Sequence, residues 1–394
     1  MTPDSPGSAP VPLLTDPAPL VAHVDQALEA ELDRAAELLA GISPVAGELL
    51  DPVRSFAAKG KRIRAMATWW GYELGRGVRV AEHAHLPGIA RVAASVELFH
   101  AAALVHDDII DDSDTRRGAP AVHAHFRAAH AAADWSGSAA LHGTGAGIIA
   151  GDLCLSLSEE VYTRSGLPGL ADPRVLAAHD DFRRDVMVGQ YLDVRLEAVP
   201  ADGDPGTGED IAARAYEVLT YKSAKYSVEQ PFLLGAALGL AEAEGASAAG
   251  DALLRALSAF GLPLGRAFQL RDDELGVYGD PARTGKPAGD DLRQGKKTVL
   301  VGYALSALHA AGDPAAAAHF AARLGAPDLT DAEVSALADI VRDSGALARF
   351  EEEIRVETER ARTGLSDLSG LVGLGGSDRA LLDAYVGKLT FRDA

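Results

Sequence analysis

Apolar positions recur every three to four residues along nearly the whole chain. In "APLVAHVDQALEAELDRAAELLAGI", Val21, Val24, Leu28, Leu32 and Leu38 fall at helical spacing. The same texture, rich in the good helix formers Ala, Leu, Glu and Arg, predicts helices over 87–112, 145–166, 175–197, 209–243, 247–275, 296–312, 330–343 and 346–367. Strand-like alternation is nearly absent. The breaks are Gly, Pro and Asp clusters such as "RSGLPGLADP", "AVPADGDPGTGED" and "GDPARTGKPAGDD". "AADWSGSAALHGTGAG" (132–147) reads as a poorly ordered loop. The start, "MTPDSPGSAPVPLL", is rich in Pro and Ser and has no basic segment leading into an apolar core, so it does not read as a signal peptide. The expectation is a disordered tail over 1–18 and a single all-α domain over 19–394. No fixed-period repeat points to a solenoid.

Composition narrows what that domain binds. The chain has 394 residues, 47% of them hydrophobic, which is ample for a large buried core. A net charge of −20 argues against nucleic acid as a partner. Anions would need a local cluster of Lys and Arg, or bridging metal ions. The lone Cys154 excludes an internal disulfide, fits a reducing cytoplasm, and reads as a small buried hydrophobe. No run of eighteen apolar residues was found, so no transmembrane segment is expected.

The candidate chemistry lies where apolar helices run into acid. In "ALVHDDIIDDSDTRRG", Asp107 and Asp111 are four apart, as are Asp108 and Asp112. At that spacing like charges share a helix face and repel. A hard cation with oxygen ligands reverses the sign of the interaction. His100, seven residues before Asp107, shares that face. A second acidic run, "AFQLRDDELGVYGD", brings Asp272 and Asp273 after the apolar stripe Phe260, Leu264 and Phe268. One such cluster is most simply a solvated helix end. Two, each ending a helix whose apolar face must be buried, would make a pocket for Mg²⁺ when they face each other. Mg²⁺ takes one or two carboxylates and fills its shell with water and phosphate oxygens, which implies a phosphorylated ligand. Cations flank both runs: Lys61, Arg62 and Arg64 in "AAKGKRIRA", Arg116 and Arg117, Lys222 in "YKSAK", and Lys286, Lys296 and Lys297 in "TGKPAGDDLRQGKKT". There is no P-loop, nucleophile elbow, HExxH or EF-hand pattern.

These segments, in this order, resemble the trans-isoprenyl diphosphate synthases, or polyprenyl synthases. The matches are "KGKRIRA", "ELFHAAALVHDDIIDDSDTRRG", "GQYLDV", "YKSAK" and "FQLRDDELG…GDP…TGKPAGDDLRQGKKT", spanning about residues 57 to 300. The resemblance implies many antiparallel helices around a deep apolar central pocket. It implies head-to-tail condensation of isopentenyl diphosphate with an allylic diphosphate (dimethylallyl, geranyl or farnesyl). Three Mg²⁺ would serve, with Mn²⁺ able to substitute. By motif position, Asp107, Asp111 and Asp272 would be the metal ligands, supported by Asp108 and Asp273. Arg116, Lys222, Gln269 and Lys286 would hold the allylic diphosphate, with Lys296 beside them. Lys61, Arg64, His100 and Arg117 would hold isopentenyl diphosphate. Ser223 keeps the hydroxyl of a usual Thr. Family members are usually homodimers.

Two departures matter. Gly276 stands where a third aspartate would complete the second motif, so one oxygen ligand is missing and water would replace it. In this family, bulk before the first aspartate limits product length. Here Ala102 and Ala103 are small, and Phe99 lies one turn deeper. An open floor argues against stopping at C15 and favours geranylgeranyl (C20) diphosphate over farnesyl or longer products. A class I terpene cyclase would need only one diphosphate-binding set. A non-catalytic synthase subunit would not need to keep Asp272, Asp273, Gln269 and Lys286.

Overall fold

Segments that alternate Ala and Leu with charged residues bury one stripe each, and they do so here by stacking helix on helix. The computed structural model describes residues 12–58, 60–80, 84–116, 118–198, 207–243, 248–280 and 288–391. The helices are α1 (Pro17–Ile42), α2 (Asp51–Ala57), α3 (Ile63–Arg76), α4 (Leu86–Ile110), α5 (Val122–Ala132), α6 (Ala139–Thr163), α7 (Pro173–Ala198), α8 (Thr207–Val218), α9 (Gln230–Glu242), α10 (Ala248–Tyr278), α11 (Asp290–Gln294), α12 (Val299–Ala310), α13 (Pro314–Arg323), α14 (Asp331–Asp343), α15 (Ala346–Val372) and α16 (Gly376–Thr390). Between α8 and α9 runs a π-helical segment, Leu219–Glu229. A two-residue hairpin, β1 (Thr115–Arg116) against β2 (Ala119–Pro120), is the only sheet among the described residues. The fold is all-α, as the periodicity and the resemblance led one to expect.

α4 lies at the centre. Its Val92 and Phe99 join a core with Trp69, Trp70, Tyr72, Phe182, Phe232 and Phe260. Its Ala94 and Leu98 pack in another cluster with Leu28 and Leu157, and its Ala102 and Val105 in a third with Val53, Phe126 and Cys154. A helix buried on several sides needs apolar residues all round, which is why its sequence shows so little polar face before Asp107. A further cluster, built on Leu300, Phe320 and Phe350, joins α12, α13 and α15.

Several expectations need correction. The stretch 132–147 is not a loop throughout. α6 begins at Ala139, capped by the Ser138 hydroxyl, which accepts from the Leu141 N–H. Its Gly143 and Gly147 lie against α5, so packing offsets the low helix propensity of Gly. Order also starts before residue 18. The backbone N–H groups of Leu13 and Leu14 donate to Asp378 at 2.9 and 3.0 Å, and Leu14 is fully buried. Residues 1–11 lie outside the described residues. Leu38, placed on the buried stripe of α1, is 53% exposed, because that stripe ends at Ala35. Among the described residues, two helices are long and apolar enough on average to cross a membrane, by length and composition only, although neither is an unbroken apolar run. The most apolar stretch of α4 is 78% buried and that of α6 is 33% buried. The first is therefore core, and the second keeps an apolar outer face.

The π segment deserves a physical account because it carries Lys222 and Ser223. Long π-helices are rare and need outside support. Pro231, which has no N–H to offer the preceding turn, follows directly. Neighbouring helices clasp the segment at glycines. A Cβ on Gly189 of α7 would lie 2.3 Å from the Lys222 nitrogen, and one on Gly265 of α10 would lie 2.3 Å from the Ala224 oxygen. Substituting Gly265→Ala should therefore destabilise the protein by about 1–3 kcal/mol, the usual cost of overpacking. Chemical denaturation checks this, and an unchanged midpoint would show that α10 can move away freely.

Candidate active site

α4 ends where its acidic run begins. The Asp111 N–H still donates to the Asp107 carbonyl at 2.8 Å, and Asp112 then turns the chain with φ 49°. The hairpin that follows turns at Gly118, φ 73°, and folds Arg116 back over the helix end. Arg116 Nε donates to Asp108 Oδ1 at 2.7 Å, and its Nη2 reaches Asp107 Oδ2 at 3.3 Å. Thus the arginine that closes the motif answers the repulsion that opens it. Asp108 is 1% exposed, and burial raises its carboxyl above the ordinary range against the pull of Arg116.

Asp107 is the most connected group of the site. Lys222 Nζ donates to its Oδ1 at 3.1 Å, and Gln190 Nε2 donates to the same oxygen at 3.2 Å. Burial works against its charge, yet Lys222, Lys296 and Arg116 together hold its carboxyl below the usual range. Lys222 also donates to Asp193 Oδ2 at 2.5 Å. Burial disfavours its charge, but Asp107 and Asp193 outweigh that and raise its pKa. Lys296 Nζ lies 3.3 Å from Asp111 Oδ2. Its ammonium is likewise held charged against burial by Asp111, Asp291 and Asp107.

The second acidic run sits on the last turns of α10. The Ser223 hydroxyl donates to the Gln269 carbonyl oxygen, and the Gln269 amide donates to Asp273 Oδ1 at 2.8 Å. Burial pushes Asp273 well above the ordinary carboxylate range, and the charges of Asp291 and Asp272 push the same way. The first cluster is tied directly to Arg116, Lys222 and Lys296, and Lys296 also pulls on Asp273 of the second.

Both clusters face one cavity of about 860 Å³. Asp107, Arg116, Lys222, Ser223, Gln269, Asp272, Asp273 and Lys296 line it, and so do Lys61, Arg64 and His100. Its apolar wall includes Ala103, Leu104, Val186, Leu219 and Phe268. Arg64 donates to Ser227 Oγ at 2.7 Å and lies 4.4 Å over the Tyr226 ring. His100 Nδ1 is 3.3 Å from the Tyr226 hydroxyl. Tyr226 lines the cavity and packs on Phe182 and Phe99, with ring centroids 5.1 and 6.0 Å away.

Not every expected residue reaches the cavity. Ala102 is fully buried in the cluster with Cys154, away from the lining. Ala103 and Leu104 line the cavity, which leaves Ala102, on the other side of Ala103, turned away from it. Asp111 stands behind Lys296. Arg62 and Lys297 line the cavity too, but both are tied into the wall. Arg62 is 4% exposed and bonds Asp25, Glu97 and the Ala57 carbonyl. The Lys297 ammonium donates to the Leu196 and Glu197 carbonyls at the end of α7. His123 and His130, in the Ala-rich helix α5, are each 5% exposed. Arg117 and Lys286 lie outside the described residues. Roles for Gln190, Asp193 and Tyr226 were not read from sequence. The "GQYLDV" segment places its Gln and Asp three apart on one helix face, which was the available signal.

Mg²⁺ fits this donor set. Among the described residues no three acids or imidazoles gather tightly enough to hold a metal alone. Paired carboxylates facing a roomy cavity are instead what Mg²⁺ uses when water and phosphate complete its shell.

A family model described as Polyprenyl synthetase matches residues 47–338. A geranylfarnesyl diphosphate synthase of Aeropyrum pernix is 30% identical over 78% of this chain and 84% of its own. A (2E,6E)-farnesyl diphosphate synthase of Mycobacterium tuberculosis is 33% identical over 72% of this chain and 70% of its own. A geranylgeranyl pyrophosphate synthase of Corynebacterium glutamicum, solved with isoprenyl diphosphate and magnesium, is 35% identical with a TM-score of 0.82. That likeness covers 95% of this chain and 99% of the other.

Replacing Lys222 by Met would leave Asp107 and Asp193 side by side without their shared cation. The expected cost is on the order of 3 kcal/mol at neutral pH, the low end for breaking a buried ion pair. In the wild type, the lowered pKa of Asp107 contributes stability above the ordinary carboxylate range that is lost as pH falls through the lowered value. In the variant the carboxyls are raised, so acid relieves the strain. The penalty should therefore shrink between pH 7 and pH 5. Denaturation at both values checks it, and a penalty independent of pH would refute the charge argument.

Proposed function

The chain belongs to the polyprenyl synthetase family and is a prenyl-transferring enzyme, and from that premise we propose that it makes geranylgeranyl (C20) diphosphate in a Mg²⁺-dependent condensation. The observation that carries this reading is the convergence of both acidic clusters, and of two sets of cations, on one cavity with an apolar wall. One set, Arg116, Lys222 and Lys296, lies among the carboxylates. The other, Lys61, Arg64 and His100, lies toward Tyr226. Two sets suit two diphosphates, and a cyclase would need one. The solved relative from Corynebacterium glutamicum, holding isoprenyl diphosphate and magnesium, supports the same assignment.

Mg²⁺ held by Asp107 and Asp272, and by Asp111 where Lys296 gives way to it, would supply positive charge where the leaving diphosphate gathers negative charge. Lys222, Lys296 and Arg116 aim at the same oxygens, and electrostatic preorganisation acts most strongly in such a dry site. The allylic C1–O bond breaks and both electrons leave with the diphosphate. The double bond of isopentenyl diphosphate then attacks C1, and a proton from that substrate passes to the released diphosphate. Ala103, Val186, Leu219 and Phe268 keep water from the cation. Gln269, the Ser223 hydroxyl and the π-segment carbonyls offer lone pairs to it without forming a bond.

Ala103 supports a product longer than C15, since it leaves the first turn below Asp107 open. Phe99, about 6 Å further along α4 and backed by Phe182, supports a stop one turn later. A homodimer is supported by an apolar outer face on α6 and α7, where Leu141, Ile149 and Tyr191 are 76%, 55% and 65% exposed.

With labelled isopentenyl diphosphate, an allylic primer and Mg²⁺, the expected main product is C20. No incorporation would overturn the reading, and a cyclase would give that result. Ala103→Phe should shorten the product and Phe99→Ala lengthen it. An unchanged profile in both would remove this floor. In sedimentation velocity the protein should run as a dimer, and a single monomeric species at micromolar concentration would exclude that state.

A further inference from the structure

The second acidic motif looks incomplete in sequence, because Gly276 follows Asp272 by one helical turn where a carboxylate would continue the same face. The space over Gly276 is nevertheless filled. A Cβ built on it would lie 2.0 Å from Oδ2, 2.4 Å from Cγ and 2.9 Å from Oδ1 of Asp291. A side chain at 276 and the Asp291 carboxylate could not both keep these places, so one would have to shift. Asp291 arrives from α11, a short helix flanked by Gly289 and Gly295, both with φ 73°. These turns bring α11 back across the end of α10. The Asp291 carboxylate acts on Asp273 and on Lys296, the lysine that also reaches Asp111.

We infer that Asp291 is the third carboxylate of the second acidic cluster, delivered in space where the sequence lacks it, and that Gly276 leaves the room in which it sits. The absence at 276 and the acid at 291 are one feature. Asp291 acts as a positioning residue: it sets the charge and water structure around Asp272 and Asp273 instead of touching substrate. The Gly276→Asp change, which by sequence adds a ligand, here drives Asp291 out. This inference rests on the Mg²⁺-dependent reading of the site and deepens it.

The test measures metal binding apart from turnover. Mn²⁺ binding is followed by electron paramagnetic resonance with inorganic pyrophosphate present, alongside the Mg²⁺ concentration giving half-maximal rate. Asp291→Asn keeps the shape and removes the charge. It should weaken Mn²⁺ binding by about 10–100-fold, as loss of a supporting carboxylate does. Gly276→Asp alone should weaken it as well. In the Asp291→Ala background, Gly276→Asp should recover most of the loss, because the carboxylate then has room. Wild-type Mn²⁺ binding in Asp291→Asn, or a double variant no better than Asp291→Ala, would overturn the inference. If Mn²⁺ binding follows the expected pattern but the wild type condenses nothing, the inference stands and the proposed reaction falls.

Discussion

Lys222 sits between two carboxylates, 3.1 Å from Asp107 and 2.5 Å from Asp193, in a place where burial works against its charge. The rest of the site depends on that charge staying put. Without it, Asp107 and Asp193 repel each other in a poorly solvated cavity, and the Gln190 amide is left to tie the end of α4 to α7. The π segment exists to present this lysine beside Ser223, and the glycines at 189 and 265 let two helices press close enough to hold the segment. A backbone irregularity, two small residues and one ammonium group therefore form a single device.

The two acidic clusters differ in how they meet their own repulsion. The first carries its counter-charges within the chain: Arg116 on Asp107 and Asp108, Lys222 on Asp107, Lys296 on Asp111. The second gathers Asp272, Asp273 and Asp291 with amide and hydroxyl support from Gln269 and Ser223. Such a division suits a site that binds a phosphorylated ligand together with cations. The Lys and Arg side chains stand on the same cavity wall as Asp107, Asp272 and Asp273, the arrangement on which the proposed reaction draws. In a protein with net charge −20, this cavity is lined by charges of both signs.

Much of this was legible in the chain. Helical periodicity named the fold, because a 3.6-residue repeat of apolar side chains has few other ways to be buried. The acidic runs and their flanking cations named the site, because carboxylates at i,i+4 are costly unless something binds there. What escaped was whatever depended on which way a side chain faces. Ala102 and Ala103 are alike in sequence, yet one packs on Cys154 and the other lines the cavity. Arg62 and Arg64 both line the cavity, yet one is bound to Asp25, Glu97 and a backbone carbonyl and the other only to the Ser227 hydroxyl and the Tyr226 ring. The stretch before α6 looked like a loop because Gly and Ser lower helix propensity, and only its packing on α5 shows why it coils.

The sequence by itself determined the helices, the two acid-rich helix ends and the residue types that recognise phosphate and metal. Those follow from local spacing and from chemistry carried within a few residues. Only the tertiary structure decided which groups meet. It brought Asp193 to Lys222 across 29 positions and Lys296 to Asp111 across 185. It also set the carboxylate of Asp291 over the bare backbone of Gly276. Charges act through space, not along the chain, so the balance of this site could be read only once the helices had been packed.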